Sequence, residues 1–145
     1  MSKIVLIACV KKKRKTPSKA IELYTSSLFK KSLEYAQLLD HDRIYVLSAK
    51  YGLVFSEEVI KPYNLTLNDM RAQEIRNWSN RVLVQLSEKT DLEKDNFIIL
   101  AGQKYRKYLL PHIAHYELPL EGLQIGYQLQ RLDQLIEERK RGKPS

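Results

Sequence analysis

Seven apolar residues in a row, Ile4 to Val10, stand almost at the start of the chain and constrain everything after them. An amphipathic helix would interrupt such a run with polar positions, and a half-buried strand would alternate. An unbroken run of Ile, Val, Leu and Ala suits a strand covered on both faces, the condition of a strand inside a parallel sheet. The run is also far too short for a membrane span, which takes roughly 20 residues. Lys3 to Cys9 is therefore expected to be a central strand, and a central strand needs parallel neighbours. The chain offers two, Arg43 to Leu47 and Asn96 to Leu100.

Between these strands the apolar spacing changes to that of helices. Pro17 and Ser18 make a helix start, followed by Ala20, Leu23 and Tyr24, and then by Leu28, Ser32, Tyr35 and Leu39 at helical intervals. The Thr25-Ser26-Ser27 cluster divides this stretch, its hydroxyls suited to cap a second helix. Leu53 to Leu67, with Pro62 and Asn64, shows no sustained period and reads as an ordered loop with one extended stretch, lying over the sheet edge. Thr66 and Asp69 are spaced as a capping box for a helix whose inner face is Ile75, Trp78, Val82 and Leu86. A helix from Gln103 to Leu110 is ended by Pro111. Ile125, Leu129, Leu132 and Ile136 mark a closing helix that runs to a basic tail. Strands alternating with helices imply an α/β fold, a three-layer α/β/α sandwich around a short, mainly parallel sheet. The expected division is one domain over residues 1–138 and a C-terminal tail over 139–145.

Charge narrows the partners. The chain of 145 residues has a formal net charge of +8, and the excess sits in two runs, Lys11 to Lys15 and Arg139 to Lys143. Removing the nine basic residues of these runs from the 25 in the chain leaves 16 against 17 acidic ones. Two basic patches on a neutral body point to DNA or RNA, or to a phosphate-bearing nucleotide. The alternative is a solvated loop and a tail that serve solubility. The single cysteine excludes an internal disulfide and any multi-cysteine zinc site. Met-Ser-Lys leads into the first strand without a secretory cleavage pattern, so the expected location is cytoplasmic, with no membrane partner.

In sheets of this kind ligands bind just beyond the carboxyl ends of the strands, where loops leave at Cys9, Ser48 and Ala101. Cys9 is followed by lysines, a setting that favours a thiolate; equally it can be a buried small hydrophobe. Lys11 and Lys50 leave different strand ends and can approach one anion from two sides. Lys12, Lys13 and Lys15 are more ordinary solvated lysines, whereas Lys50 lies inside the apolar turn Ser48-Ala49-Lys50-Tyr51-Gly52. Gly102 either lets a ligand approach bare backbone or supplies a positive φ, as does Gly52. Tyr24, Tyr51, Tyr63 and Tyr105 lie in or beside these loops, and tyrosines near lysines suit stacking on a nucleobase. Tyr35 and Trp78 fall on helix faces and read as core.

The carboxylates and histidines say less. Glu57 and Glu58 are adjacent and point to opposite sides of an extended segment, so they form no acid/base pair there, though either alone can act as a base. Asp69 is a capping residue, which leaves Glu121 as the candidate acid near the strand ends. His112 and His115 stand three apart without a third ligand, so no metal site is expected. The chain carries no Walker loop, no GxGxxG and no Ser-His-Asp arrangement, and nothing in it calls for a cofactor.

The spacings Cys9-x-Lys11-x-Lys13, Ala20-x-x-Leu23-Tyr24-x-Ser26-x-x-Phe29, Leu47-Ser48-Ala49-Lys50-Tyr51-Gly52-Leu53, Pro62-Tyr63, Leu100-Ala101-Gly102-x-x-Tyr105 and Pro119-Leu120-x-Gly122-Leu123-x-Ile125-Gly126 run through nearly the whole chain. Together they resemble a small bacterial and phage family catalogued as domain of unknown function 6884. The family usually has serine after the cysteine, where this chain has Val10. It is distantly similar to YaaA proteins, associated with peroxide stress and DNA binding, and to nucleobase-processing α/β enzymes such as the archaeosine synthase core and uracil-DNA glycosylases. The resemblance implies a nucleic-acid-associated enzyme acting on a nucleobase or nucleotide, with N-glycosidic bond chemistry of a glycosylase or lyase kind. Cys9, Ser48, Lys50 and Glu121 are then the catalytic candidates, and Lys11, Lys13, Tyr24, Ser26, Tyr51, Tyr63, Gly102 and Tyr105 the ligand-binding ones. The alternative is a noncatalytic DNA- or RNA-binding protein of YaaA type. A small-molecule sensor or interaction module is a third reading.

Overall fold

Lys3–Ile7 forms strand β1 at the centre of a sheet, and Ile4 to Ile7 have no solvent exposure. The computed structural model describes residues 2–8 and 13–142 of the chain. Two parallel neighbours flank β1: β3 (Arg43–Ser48), with Ile7 opposite Val46, and β6 (Asn96–Leu100), with Ile7 opposite Leu100. Beyond them lie β4 (Gly52–Phe55), antiparallel to β3, and β7 (His115–Glu117), parallel to β6, which gives the order β4-β3-β1-β6-β7. The molecule is thus a mixed α/β protein on a five-stranded, mostly parallel sheet.

Because successive side chains of a strand point to opposite faces, β1 feeds two cores. Ile4, Leu6 and Ala8 pack with Phe97 and Ile99 against Ile75, Trp78, Val82 and Leu86 of helix α3 (Ala72–Lys89). Val5 and Ile7 pack with Ile98 and Leu100 against Phe29, Tyr35 and Ala36 of α2 (Ser27–Leu38) and Leu132 and Ile136 of α5 (Ile125–Gly142). Tyr35 and Trp78 are core residues, as their helix-face positions imply.

Several segments differ from the sequence-based expectation for reasons visible in their hydrogen bonds. The expected helix start at Ser18 is instead the two-residue strand β2 (Ser18–Lys19), paired antiparallel with β5 (Val59–Ile60), and only one helical turn, α1 (Ala20–Leu23), follows. Lys19 is extended (φ −54°, ψ 146°), and the Ala20 and Ile21 amides donate to Glu58 and Ser56 at 2.8 and 3.2 Å, so pairing with the neighbouring loop holds Ser18 and Lys19 in a strand. Ser26 does cap α2, accepting from the Phe29 amide at 3.2 Å. Thr66 caps only the short 3-10 turn Leu67–Asp69. The carboxylate that returns to the N-terminus of α3 is not that of Asp69 but that of Glu74, which accepts from the Arg71 amide at 3.1 Å.

Of the helix expected from Gln103 to Leu110, regular α-helix is confined to α4 (Gln103–Arg106), and Pro111 sits in a separate 3-10 turn, Leu110–His112. At the other end, α5 takes in Arg139, Lys140 and Arg141 of the basic run. Arginine and lysine are good helix formers and favourable at a helix C-terminus. Lys140 reaches Glu34 of α2 at 3.3 Å and Arg141 reaches Glu137 at 3.1 Å, so two of these charges are met locally. Among the described residues no helix is long and apolar enough to cross a membrane.

Candidate functional site

The chain leaves β1 toward β3 on one side of the sheet and later returns to place β6 on the other. Connections that diverge in this way open a crevice beyond the carboxyl ends of the two central strands. There the structure has a cleft of about 370 Å³, floored by Ala8, Ala101 and Gly102 and walled by Arg106, Glu121 and Gln128. A second cleft of about 360 Å³ shares Ala8, Leu28, Gly102, Gln103 and Gln128 with it and adds Ser26, Asn68, Lys104, Tyr105 and Ile125. The shared lining makes them two parts of one groove. Arg106 and Glu121 line only the first part, Tyr105 and Ile125 only the second, which is largely apolar, and the amides of Gln103 and Gln128 belong to both.

Local bonds hold the polar part in shape. Arg106 donates to the Ala101 carbonyl at 3.1 Å, and the Gln128 side-chain nitrogen donates to Leu123 at 2.7 Å. Glu121 sits on a tight turn, its amide donating to Leu118 at 3.1 Å, and Gly122 follows at φ 77°. Gly102 has φ −63°, so the positive-φ explanation fails for it although it holds for Gly52 at 76°. An added β-carbon on Gly102 would meet nothing within 4 Å, so its backbone faces open space at the groove floor.

A second group of the expected residues gathers at the end of β3. The Tyr24 and Tyr63 hydroxyls are 2.6 Å apart. Burial first, and then the Tyr63 oxygen, push the Tyr24 phenol far above its ordinary range, while a hydrogen bond with Ser48 works in the opposite direction. The Lys13 ammonium lies 4.5 Å from the Tyr63 ring centroid and 5.7 Å from that of Tyr24. Tyr51 packs edge-on to Tyr63 at 5.7 Å, and the Lys50 ammonium is 5.3 Å from the Tyr51 centroid. Ser48 is fully buried, its hydroxyl accepting from the Tyr51 amide at 3.0 Å.

The expected residues thus fall into two adjoining groups. Gly102, Glu121, Ser26 and Tyr105 line the groove, whereas Ser48, Lys50, Tyr51, Tyr63, Tyr24 and Lys13 cluster at the β3 end. Tyr24 and Tyr105 are buried, so neither ring offers a face for stacking; Tyr105 is packed edge-on against Trp78 at 5.4 Å. Cys9 and Lys11 lie outside the described residues, and so does Val10. Ala8, just before them, belongs to the groove floor. Glu57 is paired with Lys19 at 2.9 Å, while His112 and His115 fall in the 3-10 turn and in β7.

Sequence reasoning missed Gln103, Arg106 and Gln128 in the groove, and it missed a clamp on the turn after β3. Three side chains of α3 hold that turn by its backbone: Trp78 donates to the Ser48 carbonyl at 2.9 Å, Arg81 to Lys50 at 3.0 Å and Gln85 to Tyr51 at 3.4 Å. Gln85 also accepts from the Leu53 amide at 2.9 Å. The available signal was their spacing, which puts hydrogen-bonding groups along one stripe of the helix.

A model for a family described as a family of unknown function, DUF6884, matches residues 4–134. No curated protein matches the chain.

Proposed function

We propose, for a chain that belongs to the DUF6884 family, a nucleic-acid-associated enzyme that acts on a nucleobase or nucleotide at the carboxyl ends of β1 and β6, with the N-glycosidic bond as its target. The observation that carries this reading is the two-part groove. Its parts, of about 370 and 360 Å³, lie in the size range of small-ligand sites. Gln103 and Gln128 bring amides, groups that can both donate to and accept from a base edge. Arg106 is suited to a phosphate, by charge-assisted hydrogen bonds.

Glu121 is the carboxylate of the groove. In hydrolysis of an N-glycosidic bond, water adds to the sugar carbon as the bond to the base nitrogen breaks, and the base departs with the electron pair. Glu121 is assigned to take the proton of that water and to oppose the positive charge developing on the sugar. Cys9 stays in the proposal as an alternative nucleophile. Lys13 and Lys50, seated near tyrosine rings, form a cationic flank at the end of β3. The two-sided core supports a three-layer α/β/α arrangement, and the protein is proposed to act in the cytoplasm.

The same lysine and tyrosine flank favours a second reading, a noncatalytic DNA- or RNA-binding protein of YaaA-like type, because cations and aromatic rings suffice to hold a strand. Release of free base from nucleosides, nucleotides and oligonucleotides separates the two. The enzyme reading expects release by the wild type and its loss, with binding kept, in Glu121→Gln. Binding without release by the wild type would leave the binder, and unchanged release in both Glu121→Gln and Cys9→Ala would remove the assigned chemistry from this groove.

A further inference from the structure

Besides the two basic runs along the sequence, the fold assembles a third set of cations. Lys104, Lys107 and Tyr108 stand at i, i+3 and i+4, and the backbone stays helical at Lys107 (φ −50°, ψ −47°), just past the end of α4. Side chains at this spacing share one side of a helix. Tyr105 and Leu109, also four apart, take another side and are buried. Lys104 stands in the apolar part of the groove, its ammonium donating to the Asn68 carbonyl at 3.4 Å. Farther along, the Lys107 ammonium is 5.5 Å from the Tyr108 ring centroid, and the Arg76 guanidinium, coming from α3, is 5.1 Å from the same centroid. A row therefore leads out of the groove from Lys104 through Lys107 and Tyr108 to Arg76.

Lys104, Lys107 and Arg76 are all exposed, and among the described residues no ion pair engages any of them. Glu74, two residues before Arg76, has its carboxylate turned to the Arg71 amide. Like charges gathered in this way repel one another, and an anionic partner along the row relieves that repulsion. A free nucleotide keeps its phosphate within the groove and leaves Lys107 and Arg76 unused. A chain of phosphodiesters continues outward past both.

Resting on the reading of the groove as a nucleotide site, we infer that its substrate class is a single-stranded oligonucleotide: one nucleotide unit occupies the groove and the Lys104, Lys107 and Arg76 row holds the backbone leading from it. The shared chemistry is the phosphodiester of DNA or RNA, and Tyr108 braces the two outer cations by cation–π contact.

The test measures binding of mixed-sequence single-stranded DNA and RNA oligonucleotides, and of the corresponding mononucleotides, to the wild type and to the double variant Arg76→Gln/Lys107→Gln. Lys89→Gln/Lys94→Gln removes the same charge at exposed positions by the opposite end of the sheet and serves as control. The inference expects oligonucleotides to bind at least about tenfold more tightly than mononucleotides at low salt. In Arg76→Gln/Lys107→Gln that advantage should fall, mononucleotide binding should hold, and the salt slope should flatten by about 1.4, at about 0.7 per phosphate contact in a single strand. The tighter of the DNA and RNA arms identifies the polymer. Mononucleotide binding with no oligonucleotide advantage would overturn the inference and leave the groove reading standing. An advantage unchanged in Arg76→Gln/Lys107→Gln, or lost equally in the control, would overturn it too. Oligonucleotide binding that depends on the row while no mononucleotide binds would uphold the backbone contact and remove the nucleotide site, and binding of neither probe would remove both.

Discussion

The Gln85 side-chain oxygen accepts the Leu53 amide at 2.9 Å from within the space that a β-carbon on Gly52 would occupy. Gly52 also has φ 76°, a conformation costly to any residue with a β-carbon. Two separate penalties therefore meet at this position. Gly52→Ala is expected to destabilise the fold by about 1–3 kcal/mol, seen as a lower denaturation midpoint. In a Gln85→Ala background the same substitution should cost less, because only the backbone penalty remains. Additive effects of the two substitutions would show that Gln85 does not press on the turn.

In the groove, Arg106 is the residue assigned to phosphate. Arg106→Gln removes a charge-assisted contact worth about 1.5–3 kcal/mol, so nucleotide affinity should fall roughly tenfold to a hundredfold. A calorimetric titration of wild type and variant with the same nucleotide checks this. Lys50→Met should have a smaller effect, since Lys50 does not line the groove.

The Tyr24 hydroxyl predicts behaviour at high pH. Its pKa is raised in the folded state above the ordinary tyrosine value near 10, mainly by burial. The folded protein then holds a proton that the unfolded chain releases, so this contribution to stability is complete below about pH 10 and is lost as pH rises beyond it. Wild type should lose stability above pH 10 more steeply than Tyr24→Phe in chemical denaturation measured across that range. Parallel curves for the two proteins would count against it.

Asp95 acts at the acid end. Burial works to raise its pKa, but hydrogen bonds from the Asp91 and Ser2 amides, at 2.8 Å each, prevail and hold it below the ordinary aspartate value. Its contribution is therefore present above the unfolded-state pKa near 4 and lost as pH falls through the lower folded-state value. Asp95→Asn should be less stable than wild type at neutral pH, with the difference shrinking as the solution is acidified. A pH-independent difference would assign Asp95 a purely steric role.

How much of this was readable in advance follows the physics of each signal. The run from Ile4 to Val10 marked β1 because both of its faces are covered, and Ile75, Trp78, Val82 and Leu86 marked α3 because one face is. No comparable signal marks β7: all three of its residues are exposed, and a strand held by backbone pairing alone leaves no apolar period. In the groove, Ser26, Gly102, Tyr105 and Glu121 were accessible from the strand-end rule and the family-like spacing. Gln103, Arg106 and Gln128 were not, because polar residues on a helix look like a solvated face until the tertiary fold brings two elements together. Ser48 and Lys50 were placed by the same rule at a strand end, but β3 delivers them beside Tyr24 and Tyr51 rather than into the groove between β1 and β6.

Trp78, Arg81 and Gln85 grip successive backbone groups of one corner from about two turns of one rigid rod. Sliding α3 by a single residue, about 1.5 Å, would put all three out of register together. The corner between β3 and β4 is therefore expected to loosen together with α3, and the Leu53 amide to exchange its hydrogen with solvent more slowly than in a Gln85→Ala variant.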